Sequence, residues 1–345
     1  MQLPREVIVG RETLNLLGRV CKKLGFSQSA LVVTGPKTQG VAGKQALDFL
    51  EDSGIQVHYS IVSNSTMESV KAVEEKIREL KPQVVLGVGG GTKIDVAKLG
   101  SAHQGVPFIS VPTTASHDGI ASPFASLKGL SKPYSRTAQT PMAILADTDI
   151  ILQAPYRYMA SGCGDVIAKF TAVRDWRMAH LVTNEYYGEY AASLALMSAT
   201  LVTKNVEVIK PGEEEGVRVL LEALISCSVA MSIAGNSRPC SGSEHLFSHA
   251  LDLVAPKPAM HGEQCGVGTI LMAYLHKRDW KSIRATLQKV GAPTTAEELG
   301  IEPEHIIEAL VKARTIRPER YTILDEKKLN YESAKKIAKI TGIID

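Results

Sequence analysis

Apolar residues fall into two regimes along the chain. In the first, short aliphatic runs recur at Val7–Val9, Ala30–Thr34, Val57–Val62, Val84–Val88, Phe108–Val111 and Ala143–Ala146. Their β-branched and aliphatic content, with several closing on glycine or proline, reads as buried strands. Amphipathic stretches lie between them. The clearest is Met67–Leu80, where Val70, Val73, Ile77 and Leu80 make one stripe at helical spacing. Strand alternating with helix predicts α/β units on a mostly parallel sheet. From Ser161 onward the strand pattern stops. Asp165–His180, Glu185–Val208, Gly216–Ala234 and Ser243–Leu253 carry a helical period, separated by stops such as Lys210-Pro211-Gly212 and Pro256-Lys257-Pro258. The expected architecture is an α/β domain over residues 1–153 and an all-helical domain over 154–345, with an active-site cleft between them.

Composition narrows the function classes. A length of 345 residues suits two domains, and 44% hydrophobic with 22% charged residues suits a soluble globular chain. The net charge of +3 comes from interleaved acids and bases, without a basic–aromatic patch, so a nucleic-acid partner is not expected. The five cysteines are odd in number and none are at CxxC spacing, which points to a reducing, cytoplasmic setting. The start MQLPREVIVG lacks the basic and apolar regions of a secretory leader, and no bilayer-length apolar run is expected.

The chemistry starts at Gly-Val-Gly-Gly-Gly-Thr-Lys-Ile-Asp-Val-Ala-Lys over residues 87–98, after one expected strand and opening an expected helix. Gly89, Gly90 and Gly91 let a ligand approach the backbone, and the helix N-terminus offers free N–H groups to a phosphate. Thr92 is placed to cap that helix, with Asp95 completing a capping-box pair. The plainer reading is a tight strand–helix turn. The run is neither GxGxxG nor a P-loop. After the next strand, Pro112-Thr113-Thr114-Ala115-Ser116-His117-Asp118-Gly119 places hydroxyls at the edge of the sheet where ligands bind.

In the second half, Ser161-Gly162-Cys163-Gly164-Asp165 puts an aspartate at an expected helix start. His245 and His249 stand four apart on one helical face, and His261 opens a further helix. Imidazole and carboxylate suit zinc, iron(II) or a neighbouring ion, and three protein ligands leave a position open for substrate. Taken singly, the aspartate could be a cap and the histidines a packing pair.

These segments, in this order, resemble the superfamily of iron-containing alcohol dehydrogenases, glycerol dehydrogenases and dehydroquinate synthases. The resemblance covers nearly the whole chain. It implies a Rossmann-like first domain, a helical second domain, a homo-oligomer, NAD(P)H and one divalent metal ion, zinc being the expected one. Carried over residue by residue, it makes Asp165, His245 and His261 the metal ligands. It puts Gly89, Gly90, Gly91 and Lys93 at the cofactor pyrophosphate, with Asp95 and Gly35 counted to the same site. Thr113, Thr114 and Ser116 line the path to the nicotinamide, and Asp118 and His249 face substrate. The wording of SHDGIASPFAS, GCGDVIAK and SRPCSGSEHLFSHALD is closest to the branch that reduces dihydroxyacetone phosphate to sn-glycerol 1-phosphate for ether-lipid synthesis. That implies a small-molecule substrate whose phosphate needs donors, and the candidates are Arg238 and Lys169. Arg238 could instead be a surface charge at a helix start, and Lys169 could pair with Asp165 or Asp175. Asp118, His249 and Lys169 are the residues expected at the reacting centre. One departure stands out: the second strand ends Thr34-Gly35-Pro36-Lys37, without the acid that repels a 2′-phosphate. NADPH should therefore be accepted beside NADH, with Lys37 nearby. The competing readings are a glycerol dehydrogenase, a dehydroquinate synthase-like lyase and a non-catalytic nucleotide-binding protein.

Overall fold

A computed structural model describes residues 2–127 and 135–345. The chain divides into two compact units. One runs through Pro155 and takes in Pro211–Leu221; the other comprises Tyr156–Lys210 and Glu222–Asp345.

In the first unit the aliphatic runs form β1 (Glu6–Gly10), β2 (Ser29–Thr34), β3 (Gln56–Ile61), β4 (Val84–Gly89), β5 (Phe108–Pro112) and β8 (Ala143–Asp147). All six pair in parallel, in the order β1-β8-β5-β4-β2-β3. A short antiparallel pair, β6 (Phe124–Ser126) and β7 (Ser135–Thr137), stands apart. Helices α1 (Leu17–Lys23), α2 (Lys44–Asp52), α3 (Met67–Leu80), α4 (Gly91–His103) and α5 (Thr148–Leu152) complete this unit's part of the chain. The central strands are apolar on both faces: Leu31, Val32, Val85, Leu86, Ile109 and Leu145 are all fully buried. That explains why they read as continuous runs rather than alternating ones. From β2 the chain steps outward to β3, then returns to β4 on the other side of β2. The direction of winding therefore reverses between the carboxyl ends of β2 and β4, where open α/β sheets form their ligand crevice.

The second unit is helical: α6 (Arg157–Ile167), α7 (Lys169–Thr183), α8 (Glu189–Lys204), α10 (Ser243–Val254), α11 (His261–Leu275), α12 (Trp280–Lys289), α13 (Ala296–Leu299), α14 (Pro303–Lys312), α15 (Ile323–Lys327) and α16 (Tyr331–Ile340). Helix α9 (Glu214–Ala234) is long and apolar enough to pass as a bilayer span, contrary to expectation, although 56% of its most apolar window is buried within the fold. A buried core helix has the same composition.

Two local expectations are corrected. Asp165 does not start a helix: α6 begins at Arg157, and Asp165 lies in its last turn. Thr92 does not cap α4, because Gly90 holds the N-cap position and Thr92 is already helical.

Candidate active site

The nucleotide edge is built in the first unit. Gly89 ends β4, Gly90 is extended with φ −76° and ψ 178°, and Gly91 opens α4. A side chain at Gly91 would displace His117: its Cβ would sit 1.9 Å from Nε2 of that imidazole. The glycine thus serves close approach of the imidazole as well as of any ligand. His117, given no role in the sequence reading, accepts a hydrogen bond from Gly119 N–H at Nδ1 (2.9 Å) and caps the short turn that carries Asp118. Asp118 is half-buried there. Thr113 is buried with its N–H on Gly89 O (3.1 Å), and Thr114 Oγ1 lies 3.5 Å from Ser116 Oγ. Gly35 is buried at the end of β2, where a Cβ would strike Lys93 Cε at 2.2 Å. Lys93 points its ammonium toward Ser63 O (3.5 Å), and Lys37 is exposed.

Asp95 faces inward from α4 instead of capping it. Its carboxylate accepts from Ser126 N–H (3.2 Å) and from the fully buried Lys98 ammonium (3.4 Å). Lys98 also donates to Gly119 O (2.7 Å) and Phe124 O (2.8 Å). Burial lowers the Lys98 pKa, and Asp95 opposes that shift. Together Asp95 and Lys98 tie the segment after Asp118 to the glycine-turn helix.

The candidate metal centre lies in the second unit. Helices α6 and α11 cross at glycines: a Cβ on Gly164 would meet Gly262 O at 2.2 Å, and one on Gly262 would meet Ser161 O at 1.9 Å. This close crossing sets Asp165 near His261. His245 on α10 points Nε2 at Asp165 Oδ1 (3.4 Å), and its ring centroid is 5.0 Å from that of His261. His245 Nδ1 meets the buried Glu244 carboxylate at 2.8 Å, an arrangement that puts the proton on Nδ1 and leaves the Nε2 lone pair for an ion. His261 Nδ1 contacts Ser248 Oγ at 3.2 Å. Donor atoms of His245, His261 and Cys265 lie within 4.8 Å of one another, and Asp165 faces His245, a donor chemistry that suits a divalent ion. Cys265 adds a buried sulfur 3.6 Å from His261 Nε2, and burial raises its pKa.

Lys169 takes the first of the two pairings left open. It is fully buried, with its ammonium on Asp165 Oδ1 at 2.6 Å. Burial would raise the Asp165 pKa, but Lys169, then His245 and His261, hold it well below the usual range. His249 is buried, stacks on His261 at 5.8 Å, and has its Nδ1 3.8 Å from Asp252 Oδ2, outside hydrogen-bond reach. Burial lowers its pKa, so the neutral imidazole is favoured. Ser243 gives its hydroxyl and N–H to the buried Asp175, which also meets His276 Nε2 at 2.9 Å.

Arg238 is not a surface charge. It is buried and doubly bonded to Glu185, with Nε on Oε1 at 2.7 Å and Nη2 on Oε2, and its Nη1 donates to Tyr321 O at 2.9 Å. Its guanidinium is thus committed to the protein. No local pattern marks this pairing, since Glu185 and Tyr321 lie 53 and 83 residues away.

Known proteins with similar sequences agree on one family. The iron-containing alcohol dehydrogenase profile matches residues 8–155. A glycerol-1-phosphate dehydrogenase [NAD(P)+] of Pyrococcus furiosus is 57% identical over 344 residues, covering 100% of this chain and 99% of the relative. The chain belongs to the iron-containing alcohol dehydrogenase family. Within the family, the protein of the same name from Methanosarcina mazei is 54% identical, covering 100% of this chain and 97% of its own length. The crystal structure of glycerol dehydrogenase from Schizosaccharomyces pombe shares the family fold, with a TM-score of 0.81 at 22% identity over 98% of this chain and 89% of that one. The chain is therefore an NAD(P)-dependent dehydrogenase of this family.

Proposed function

We infer that the protein reduces dihydroxyacetone phosphate with NAD(P)H and a proton, giving sn-glycerol 1-phosphate and NAD(P)+, and catalyses the reverse oxidation. The name shared by full-length relatives at 54% and 57% identity carries the substrate. The product would serve as the backbone of ether-type lipids. The plain glycerol dehydrogenase reading rests on fold likeness at 22% identity, which does not reach substrate. The absence of an acid after Thr34, with Lys37 exposed beyond it, favours acceptance of NADPH beside NADH.

When bound, the divalent ion supplies Lewis acidity toward the ketone oxygen and the dihydronicotinamide supplies hydride. The residues do the rest. Asp165, His245 and His261 would hold the ion, for which we propose zinc, and Glu244 fixes the ligating tautomer of His245. Gly89, Gly90 and Gly91 would receive the pyrophosphate at the start of α4, beside the hydroxyls of Thr113, Thr114 and Ser116. Asp118 faces substrate in this reading. His249, buried and neutral, is the group proposed to relay the proton that the product hydroxyl gains.

The test is oxidation of NADH and NADPH with dihydroxyacetone phosphate and with dihydroxyacetone, before and after chelation. Metal-dependent turnover that prefers the phosphate, with a product refused by sn-glycerol-3-phosphate dehydrogenase, is expected. Equal turnover of dihydroxyacetone would transfer the protein to glycerol dehydrogenase.

A further inference from the structure

One cation at the carboxyl edge of the sheet reaches away from the glycine turn it follows. Lys93 stands in the first turn of α4, just past Gly91. Its side chain crosses the end of β4, where a Cβ on Gly89 would meet Lys93 Cβ and Cγ at 3.0 Å. It then crosses the end of β2, where a Cβ on Gly35 would lie 2.2 Å from Cε and 3.1 Å from Nζ. The ammonium comes to 3.5 Å from Ser63 O, just past the end of β3. Strands β4, β2 and β3 are neighbours in that order, and adjacent strands stand about 4.8 Å apart. The charge is therefore delivered beside β2 and β3, not at the start of its own helix.

The surroundings of the ammonium are built but hold no counter-charge. Thr38 Oγ1 accepts from Gly35 N–H (2.9 Å) and pairs with Thr34 Oγ1 (3.0 Å), which fixes the turn after β2. The bare Cα of Gly35 in that turn leaves the space that Lys93 Cε fills. Lys93 is half-buried, and burial lowers its pKa. Among the described residues, the contact with Ser63 O is the only hydrogen bond of its ammonium, at the limit of hydrogen-bond reach, and no carboxylate pairs with it. An ammonium partly withdrawn from water without a counter-charge is costly unless an anion joins it.

We propose that Lys93, laid across Gly35, is the residue that binds the 2′-phosphate of NADPH, and that the exposed Lys37 is not. A dinucleotide with its pyrophosphate at Gly90 and Gly91 and its nicotinamide toward Thr113, Thr114 and Ser116, beyond β5, extends its adenosine half the other way, across β2. The ammonium of Lys93 lies on that side. A lysine suits a lone phosphate as a compact point charge with three donors. NADH presents a hydroxyl in the same place, so the lysine strengthens NADPH without excluding NADH. The assignment rests on the acceptance of NADPH inferred above.

The experiment compares wild type, Lys93→Gln, Lys93→Arg, Lys37→Gln and Gly35→Ala in two ways. The first is the ratio of KM for NADPH to KM for NADH, with dihydroxyacetone phosphate saturating. The second needs no turnover: displacement of fluorescent NADPH by adenosine 2′,5′-bisphosphate and by adenosine 5′-monophosphate. Lys93→Gln should raise the KM ratio about 10- to 100-fold, the weight of a hydrogen bond to a charged group, and should erase the preference for the bisphosphate by a similar factor. Lys93→Arg should recover most of both, and Lys37→Gln should move them less than Lys93→Gln. Gly35→Ala should raise the ratio as well, because its methyl pushes Lys93 Cε aside without adding charge. An unchanged ratio in Lys93→Gln, including one in which both KM values rise together as loss of a pyrophosphate contact would cause, overturns the assignment and leaves NADPH acceptance intact. A larger shift in Lys37→Gln than in Lys93→Gln overturns it too. If Lys93→Gln fails to fold, an unchanged ratio in Gly35→Ala decides against the site. A wild type that does not oxidise NADPH would instead remove the cofactor reading on which the site rests.

Discussion

Glu244 shows how a residue outside the ligand set can govern it. It is fully buried, beside His245 in sequence, and its carboxylate accepts from Gly242 N–H (2.7 Å) and Thr171 Oγ1 (2.7 Å) as well as meeting His245 Nδ1. Three groups therefore fix the carboxylate, and the carboxylate fixes the ring. Replacing it by Gln keeps the size but removes the charge that makes the imidazole a stronger donor. Glu244→Gln should bind metal about 10- to 100-fold more weakly, measured by competition with a chromogenic chelator, while circular dichroism stays that of the wild type. Undiminished metal affinity would mean that the Glu244–His245 contact serves packing alone. At this scale the sequence revealed residue types but not partnerships. The structure gathers Asp165, His245, His249 and His261, but taken singly they read as a cap and a packing pair, and their expected roles came from the resemblance. The role of Glu244 was not legible, because a glutamate in a helix is ordinarily solvated, and its burial depends on Thr171, 73 residues away.

Between elements, backbone approach decides the geometry. The inner strands β2, β4, β5 and β8 were legible in the sequence because burial on both faces imposes unbroken aliphatic runs, whereas the edge strands β1 and β3 are partly exposed. The start of α6 was not legible. Gly162 and Gly164 read locally as a helix-breaking cap before Asp165, whereas Gly164 lies inside the helix because α11 crosses there. Small residues at such a crossing are a tertiary requirement, and a single sequence carries no mark that separates them from a turn. The consequence can be measured. Gly262→Ala puts a methyl 1.9 Å from Ser161 O, a backbone atom that cannot turn aside. The helices must separate, and Asp165 and His261 with them. The variant should lose about 1–3 kcal/mol or more of stability and most of its bound metal, read by thermal melting and by metal analysis of the purified protein. A variant of wild-type melting temperature and metal content would show that the crossing has slack.

For the molecule as a whole, the issue is how far its stability depends on the ion. An ion that binds only the folded chain stabilises by about 4 kcal/mol when present at 1,000 times its dissociation constant, so chelation should lower the melting temperature as well as stop turnover. It should not unfold the protein. The buried carboxylate of Asp165 has a counter-charge of its own in Lys169 at 2.6 Å. A buried carboxylate stripped of every partner would cost about 3–5 kcal/mol; Lys169 keeps chelation from exposing that penalty. A double comparison tests this. Lys169→Met should melt lower than wild type under both conditions, and the gap should be larger after chelation, when nothing else balances Asp165. Equal gaps with and without chelator would mean that Lys169 and the metal do not share Asp165 as their common partner. A gap that widens only in the chelated protein would assign Lys169 to holding the empty centre together, and would explain why a lysine so close to the ligands is sealed from solvent.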